Sequence, residues 1–450
     1  MSRIAPDPVP SGPLPAAVDV VVIGGGIVGV STALFLAQKG VSVALCEKGL
    51  IGAEQSGRNW GWVRQMGRDP AEIPLAVQSL AIWRGLNARV GAETGYRQTG
   101  ISYLCRTEAE MAEYSAWLDH ARDHGIDTRM LDRAALADLL PGISGEFIGG
   151  LHTASDGRAE PLQAAAAIAR AAAAAGAHIV TACAVRGIER AAGAVSGVVT
   201  EHGPVRCSTV VLAGGAWSRL FAGNLGIDLP MLKVLGSVAR ISGVAGVAGV
   251  PDMPVGADNF SFRRRLDGGF SIALRNVNVV PVVPDSFRLF TDFAPSLIRN
   301  WKELRIRIGK RFLDELRMPR RWALDRVTPF ERMRVLDPVP EDRFLKDALV
   351  HLQRGFPAFA GARITQSWGG LIDTTPDAVP VMDRVPGIPG FYIAGGFSGH
   401  GFGIGPGSGQ MMAQMVTGET PLVDPAPFRL GRFRRQAAHR ARERQIVGQA

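Results

Sequence analysis

Two glycine-rich stretches, one carboxylate and a few scattered cations are the parts of this 450-residue chain best suited to chemistry. The first stretch, Gly24-Gly25-Gly26-Ile27-Val28-Gly29, puts glycines in GxGxxG spacing at Gly24, Gly26 and Gly29. Gly24 permits a tight turn, Gly26 lets the backbone approach a pyrophosphate, and Gly29 lets a helix lie close to a strand. Glu47, 18 residues past Gly29, could accept hydrogen bonds from ribose hydroxyls. The second stretch holds seven glycines from Gly395 to Gly407, enough to bring backbone amides against a flat ring. His400 lies inside it and could shuttle a proton or make a polar contact. Arg64 and Arg275 offer planar cationic forks that suit a carboxylate.

The elements around these residues must place them. Asp19–Ile23 reads as a strand buried on both faces, and Ile27–Lys39 as a helix closed by Gly40. Val41–Cys46 reads as a second strand, with Glu47 at its end. Strand, glycines, helix, strand and acid fall in register, which predicts a dinucleotide site with its pyrophosphate at the helix N-terminus. Glu47 would repel a 2′-phosphate and so disfavours NADP, leaving NAD and FAD. The rest of the chain decides for FAD. Val210–Leu212 predicts another buried strand running into Ala213, Gly214 and Gly215, after strands at Cys183–Glu189 and Val195–Glu201. Gly390–Ala394 repeats the strand-then-glycine pattern, and a helix is predicted over Ser408–Val416, its N-terminus toward the flavin. Phe260–Leu274 reads as a hairpin turning at Asp267-Gly268, and Ala294–Met318 as one long amphipathic helix ended by Pro319.

The stretches Asp19–Lys48, Gly52–Arg68, Glu160–Trp217 and Ser367–Met415 resemble the D-amino-acid oxidase-like family of FAD-dependent oxidoreductases. The likeness is greatest to glycine oxidase, the β-type sarcosine oxidases and dimethylglycine dehydrogenase-like proteins. It implies an α/β fold, α+β overall: a Rossmann-like FAD domain of glutathione-reductase type with an inserted antiparallel-sheet substrate domain. The FAD domain would be assembled from residues 18–97, 150–230 and 354–425, and the substrate domain from 98–149 and 231–353. Residues 1–17 would form a flexible arm and 426–450 a basic tail.

The resemblance implies non-covalent FAD held first by Gly24, Gly26, Ile27, Val28, Gly29, Glu47 and Lys48. Ser56, Gly57, Asn59, Val185, Ala213, Gly214 and Trp217 would contact it further along. Gly370, Gly396, Gly399, His400, Gly401, Phe402 and Gly403 would meet its ring. Family members remove a hydride equivalent from the carbon beside an amine, deliver it to flavin N5, and release an imine that hydrolyses. The implied substrate is a D-amino acid, a glycine- or sarcosine-like amine, or an opine-like secondary amine. The alternative is a 2-hydroxy acid or polyol phosphate. Arg64, Arg275 and His400 are the implied catalytic residues. Two departures matter. Arg275 stands where some family oxidases use a Lys for oxygen, so both oxygen and a quinone or other respiratory carrier stay open as acceptor. Ile372 follows Leu371, where glycine oxidase-like members carry a carboxylate-gripping Arg.

Bulk composition excludes several other classes. With 46% hydrophobic and 20% charged residues, the chain has a globular make-up rather than a disordered one. The four cysteines, Cys46, Cys105, Cys183 and Cys207, form no CxxC pair, which argues against a zinc or redox motif and for a cytoplasmic setting. No metal site is expected. Met1–Ala17 holds five prolines and lacks a signal-peptide core, and no run of about 18 apolar residues predicts a spanning helix. The net charge is +9, of which Phe428–Gln445 supplies +6 through seven arginines and Glu443. Such a tail reads as a solvated face, with weak peripheral contact to an anionic membrane as the minority reading. No motif or stacking platform suggests nucleic acid. The oligomeric state is open. Ser398 is not in a G-x-S-x-G elbow, because His400 stands at the last position.

Overall fold

The computed structural model describes residues 4–244 and 250–433. Val20–Ile23 lies near the centre of a six-stranded sheet, flanked in parallel by Thr209–Leu212 and Val43–Cys46. His178–Val180 continues the sheet on one side. Phe391–Gly395 continues it on the other, with Val381–Arg384 antiparallel at that edge. Valine and isoleucine dominate the central strands because both faces are covered. The helix Ile27–Gln38 is buried along nearly its whole length, between Pro161–Ala174 and Gly401–Thr417. That packing needs backbone contact: a Cβ on Gly409 would sit 2.4 Å from the Ser31 side chain, and one on Gly405 2.8 Å from Ile27.

The second large sheet is mostly antiparallel. Its spine is the pairing of Leu232–Ser242 with Arg363–Thr374. The predicted hairpin is there, as Ser261–Arg264 paired with Phe270–Ala273. A tight phenylalanine core, Phe260, Phe262, Phe270, Phe356 and Phe359, packs beneath it. Arg363–Thr374 belongs to this sheet by pairing, although it falls within segment 354–425. The chain therefore crosses from one sheet to the other at Asp373–Thr375, where Thr374 bridges Phe397.

Several elements differ from the sequence expectation. Ala294–Met318 is not one helix. It is the helix Phe290–Arg299, a 3-10 turn at Trp301–Glu303, the strand Leu304–Arg307 and the helix Lys310–Arg317. The strand pairs in parallel with Asn278–Pro281, and that edge hydrogen bonding outweighs the helical spacing of the apolar residues. The predicted helix Ser408–Val416 begins seven residues earlier, at Gly401. Glycines normally weaken a helix interior, but here they let it press against Ile27–Gln38. The N-terminal arm is not loose from residue 7 on. Asp7 N donates to Leu162 O (3.1 Å), Gly12 N to Ile179 O (2.7 Å), and Ala17 bridges Arg206. The tail arginines from Arg434 onward lie outside the described residues. Arg432, within them, binds Asp377 at 2.8 Å. Among the described residues no helix is long and apolar enough to cross a membrane.

Candidate functional site

A long cleft runs over the C-terminal ends of the parallel strands, with about 1180 Å³ of empty space, its open mouth included. Gly24, Gly26, Ile27 and Val28 line it where the first helix starts, with Glu47 and Lys48 alongside. Ser56, Asn59, Val185, Ala213, Gly214 and Trp217 form its middle, and Gly399, Gly401 and Phe402 its far end. Six residues predicted as contacts, Gly29, Gly57, Gly370, Gly396, His400 and Gly403, stand outside this lining. Four of these leave room for others: a Cβ on Gly29 would lie 2.0 Å from Gly24 O, and Gly57, Gly370 and Gly396 are almost as tight.

At the near end, the Glu47 carboxylate accepts from Gly25 N and Gly49 N, both at 2.7 Å. Desolvation pushes its pKa up, against the opposing pull of Lys48 and the two N–H groups. Ser56 Oγ accepts from Ile27 N at 2.9 Å and ties the following loop to the helix start. Lys48 lies 4.6 Å from the Trp217 ring and pairs with Glu54 at 2.7 Å, and Trp217 Nε1 donates to the same carboxylate. Gln55 Oε1, on the cleft wall, is buried without a hydrogen-bond partner. A glycine turn, a helix N-terminus, an acid and an open buried acceptor form a donor and acceptor set that fits FAD.

At the far end, Asp373 also lines the cleft. It accepts from Gly396 N (2.7 Å) and Phe397 N (3.4 Å), fixing the turn before the glycine-rich helix. Burial pushes its carboxyl up to about 6, only partly offset by those N–H groups. Ser398 in the same turn has φ 51°, and its N donates to Asp373 O at 2.8 Å.

The predicted arginines converge beside this end on one aromatic ring. The Arg275 guanidinium lies 3.7 Å from the Tyr103 ring centre and that of Arg64 5.9 Å. Arg275 Nη1 is buried and has no hydrogen-bond partner. Trp62 stacks on Tyr103 at 5.9 Å, so it packs as a wall. The loop carrying Arg64 is pinned by Asp156, which accepts from Gln65 N (2.7 Å) and Met66 N (3.3 Å). It is also pinned by Arg263, which donates to Trp60 O (2.5 Å) and clasps Glu160.

His400 makes a different contact. It stands just before the helix Gly401–Thr417 without capping it through its side chain, and its Nδ1 bonds Glu72 Oε2 at 2.9 Å. Burial pushes the ring's pKa down, although Glu72 opposes this. Burial pushes Glu72 up, but His400, Arg68 and Arg64 outweigh it and hold the carboxyl below its usual range. Arg68 is pushed down to about 9 by burial and by Arg64. Arg68 Nη1 and Glu72 Oε1 are both buried without partners. Sequence reasoning missed Arg68, Glu72, Tyr103 and the role of Asp373. Among the described residues, no group of three or more His, Cys, Asp or Glu could hold a metal.

Comparison with known proteins agrees with this geometry. The family profile DAO, described as FAD dependent oxidoreductase, matches residues 19–415. The structure of L-amino acid deaminase from Proteus myxofaciens in complex with anthranilate is similar with a TM-score of 0.91. It is 36% identical, over 96% of this chain and 97% of that one. Sarcosine oxidase subunit beta of Rhizobium meliloti is 27% identical over 96% of this chain and 90% of its own length. Mouse mitochondrial sarcosine dehydrogenase is 25% identical over 94% of this chain, which spans 42% of that longer protein. The chain belongs to the DAO family of FAD-dependent oxidoreductases, as its residues led us to expect, and it oxidises amino acid C–N bonds with FAD as cofactor.

Proposed function

We propose that the chain oxidises free α-amino acids of L configuration and passes the electrons to a respiratory carrier such as a quinone. The observation that carries the substrate reading is the unpartnered, buried Nη1 of Arg275 over the Tyr103 ring, with Arg64 on the same ring. A buried guanidinium with an unused donor is costly unless an anion completes it, and a substrate carboxylate is such an anion. The similarity to an L-amino acid deaminase favours the L configuration.

Glu47 would hold the adenosine ribose, the N-terminus of Ile27–Gln38 the pyrophosphate, and Leu371, Asp373, Gly399, Gly401 and Phe402 the ring. FAD, when bound, supplies the two-electron acceptor for the carbon–nitrogen bond. The protein's part is orientation and protons. Arg275 and Arg64 bind the carboxylate. With Glu72 ionised, Nδ1–H of His400 donates to it, which leaves Nε2 as the nitrogen able to accept a proton. The reading of a carrier rather than oxygen as acceptor rests on Arg275 standing where some family oxidases use a lysine.

The test is anaerobic mixing of the yellow holoprotein with L-amino acids, D-amino acids, sarcosine and 2-hydroxy acids. Loss of visible flavin absorbance with L-amino acids is expected, with reoxidation faster by a soluble quinone than by air. Bleaching by 2-hydroxy acids alone would overturn the reading.

A further inference from the structure

The segment Pro284–Arg321 has its polarity inside out. Of the fourteen large hydrophobic side chains exposed among the described residues, eight fall between Phe287 and Leu316. Ile308 is 84% exposed, Ile298 78%, Phe287 69% and Trp301 63%. The helix Phe290–Arg299 buries none of its residues. The helix Lys310–Arg317 buries one, and that one is Glu315, which pairs inward with Lys233 at 3.0 Å while Leu313 and Leu316 face out. An ordinary surface helix does the reverse. The outward side is also basic. Residues 284–321 carry ten Lys and Arg against five Asp and Glu, a net +5 of the chain's +9. Asp285 and Glu315 are spent on Arg219, Arg320, Lys233 and Arg311. Arg299, Lys302, Arg307, Lys310 and Arg317 make no ion pair among the described residues and lie between the exposed apolar side chains.

We infer that this segment is a membrane-docking surface: its apolar side chains enter the interface of an anionic bilayer while the interleaved arginines and lysines meet lipid phosphates. Apolar groups alone would suit a protein partner equally well. Cations threaded among them, ten against the five acids of the segment, suit a surface that is negative everywhere. The pieces form one unit, because Phe287 contacts Phe312 (6.4 Å) and Leu304–Arg307 is the edge strand of the large sheet. On their inner side, Asp285, Arg288, Glu315 and Arg320 line a second cleft. It shares Ala216 and Asp373 with the first. Docking by this segment would therefore set the second cleft close to the lipid surface. The inference does not depend on the substrate or acceptor proposed above.

Co-flotation of the full-length holoprotein with vesicles tests it. Binding is expected to vesicles of phosphatidylglycerol and phosphatidylcholine in equal parts, to weaken as salt rises, and to be much weaker to pure phosphatidylcholine. Trp301→Glu with Ile308→Glu should weaken binding about tenfold or more, while bound flavin and turnover with a soluble dye stay unchanged. Arg307→Gln with Lys310→Gln should lower the salt dependence. Neutralising Arg440, Arg442 and Arg444 to Gln in the tail should leave binding in place. Wild-type protein that fails to float with anionic vesicles at low salt would overturn the inference. So would binding lost with the tail substitutions and kept in the Trp301→Glu, Ile308→Glu protein. A concentration-dependent dimer that those two substitutions dissolve, without vesicle binding, would instead make this face a contact between two copies.

Discussion

A carboxylate stands at each end of the cofactor cleft, and each accepts two backbone N–H groups, yet the two are held by different means. Glu47 sits at the end of a strand, takes Gly25 and Gly49, and has Lys48 beside it. Asp373 sits where the chain leaves one sheet for the other, takes Gly396 and Phe397, and has no cation among its influences. The glycines differ in the same way. Gly29 is glycine because there is no space: its Cβ would collide with Gly24 O at 2.0 Å. Gly399 is glycine because of its backbone, with φ +85° and only ordinary contacts at 3.8 Å around an added Cβ. Of these two glycines, the near one is required by close approach and the far one by conformation.

That contrast can be broken in three ways. The largest effect belongs to the steric glycine. Gly29→Ala forces backbone apart and should cost about 3 kcal/mol or more, giving protein purified without flavin. Gly399→Ala, a strain of about 1 kcal/mol, should keep flavin and lower the melting temperature only slightly. Equal losses would erase the distinction. Next comes Glu47→Gln, which keeps one acceptor and loses the other. Flavin affinity should fall about tenfold by equilibrium dialysis, with the rate of the bound fraction unchanged.

The smallest effect is a pH dependence. Asp373 and Asp156 are both raised to about 6 by burial, above the 3.8 of an open chain. The folded protein therefore binds their protons first, and stability rises as pH falls from about 7 to 5, by about 1 kcal/mol per group. Asp373→Asn should remove one share of that rise in thermal denaturation. Asp285, lowered to about 2 by its arginines although burial opposes them, has the opposite sign. Its contribution is present above 3.8 and is lost only as pH falls toward 2.

The sequence is legible where the physics is local. Gly24, Gly26, Gly29 and Glu47 sit within one strand–helix–strand unit, and their spacing alone places them at the cleft. Arg64 and Arg275 could be picked out as cations, but nothing in their spacing says that Tyr103 brings them together. Glu72 was hidden for a clear reason. It stands just before the helix Ile73–Val90, where an acid serves the helix dipole, and its actual partner, His400, is 328 residues away. Asp373 lay in a recognised stretch, but its hydrogen bonds cross from one sheet to a loop of the other. The long helix expected over Ala294–Met318 failed because its apolar spacing does not face a core. Periodicity reports which residues share a side, not whether that side is covered.

The helix Gly401–Thr417 lies against Ile27–Gln38, and Phe391–Gly395 completes the sheet begun by Val20–Ile23. Two parts of the chain more than 350 residues apart are thus sewn into one layer. During synthesis, the opening strand and its glycine turn emerge from the ribosome long before the segment that closes over them. Until then Ile27–Gln38 has Pro161–Ala174 on one side and an uncovered apolar side where Gly401–Thr417 will pack. Cofactor loading must wait until the segment Gly401–Thr417 has been made, and a protein truncated before Gly401 would be a client for chaperones rather than a flavoprotein.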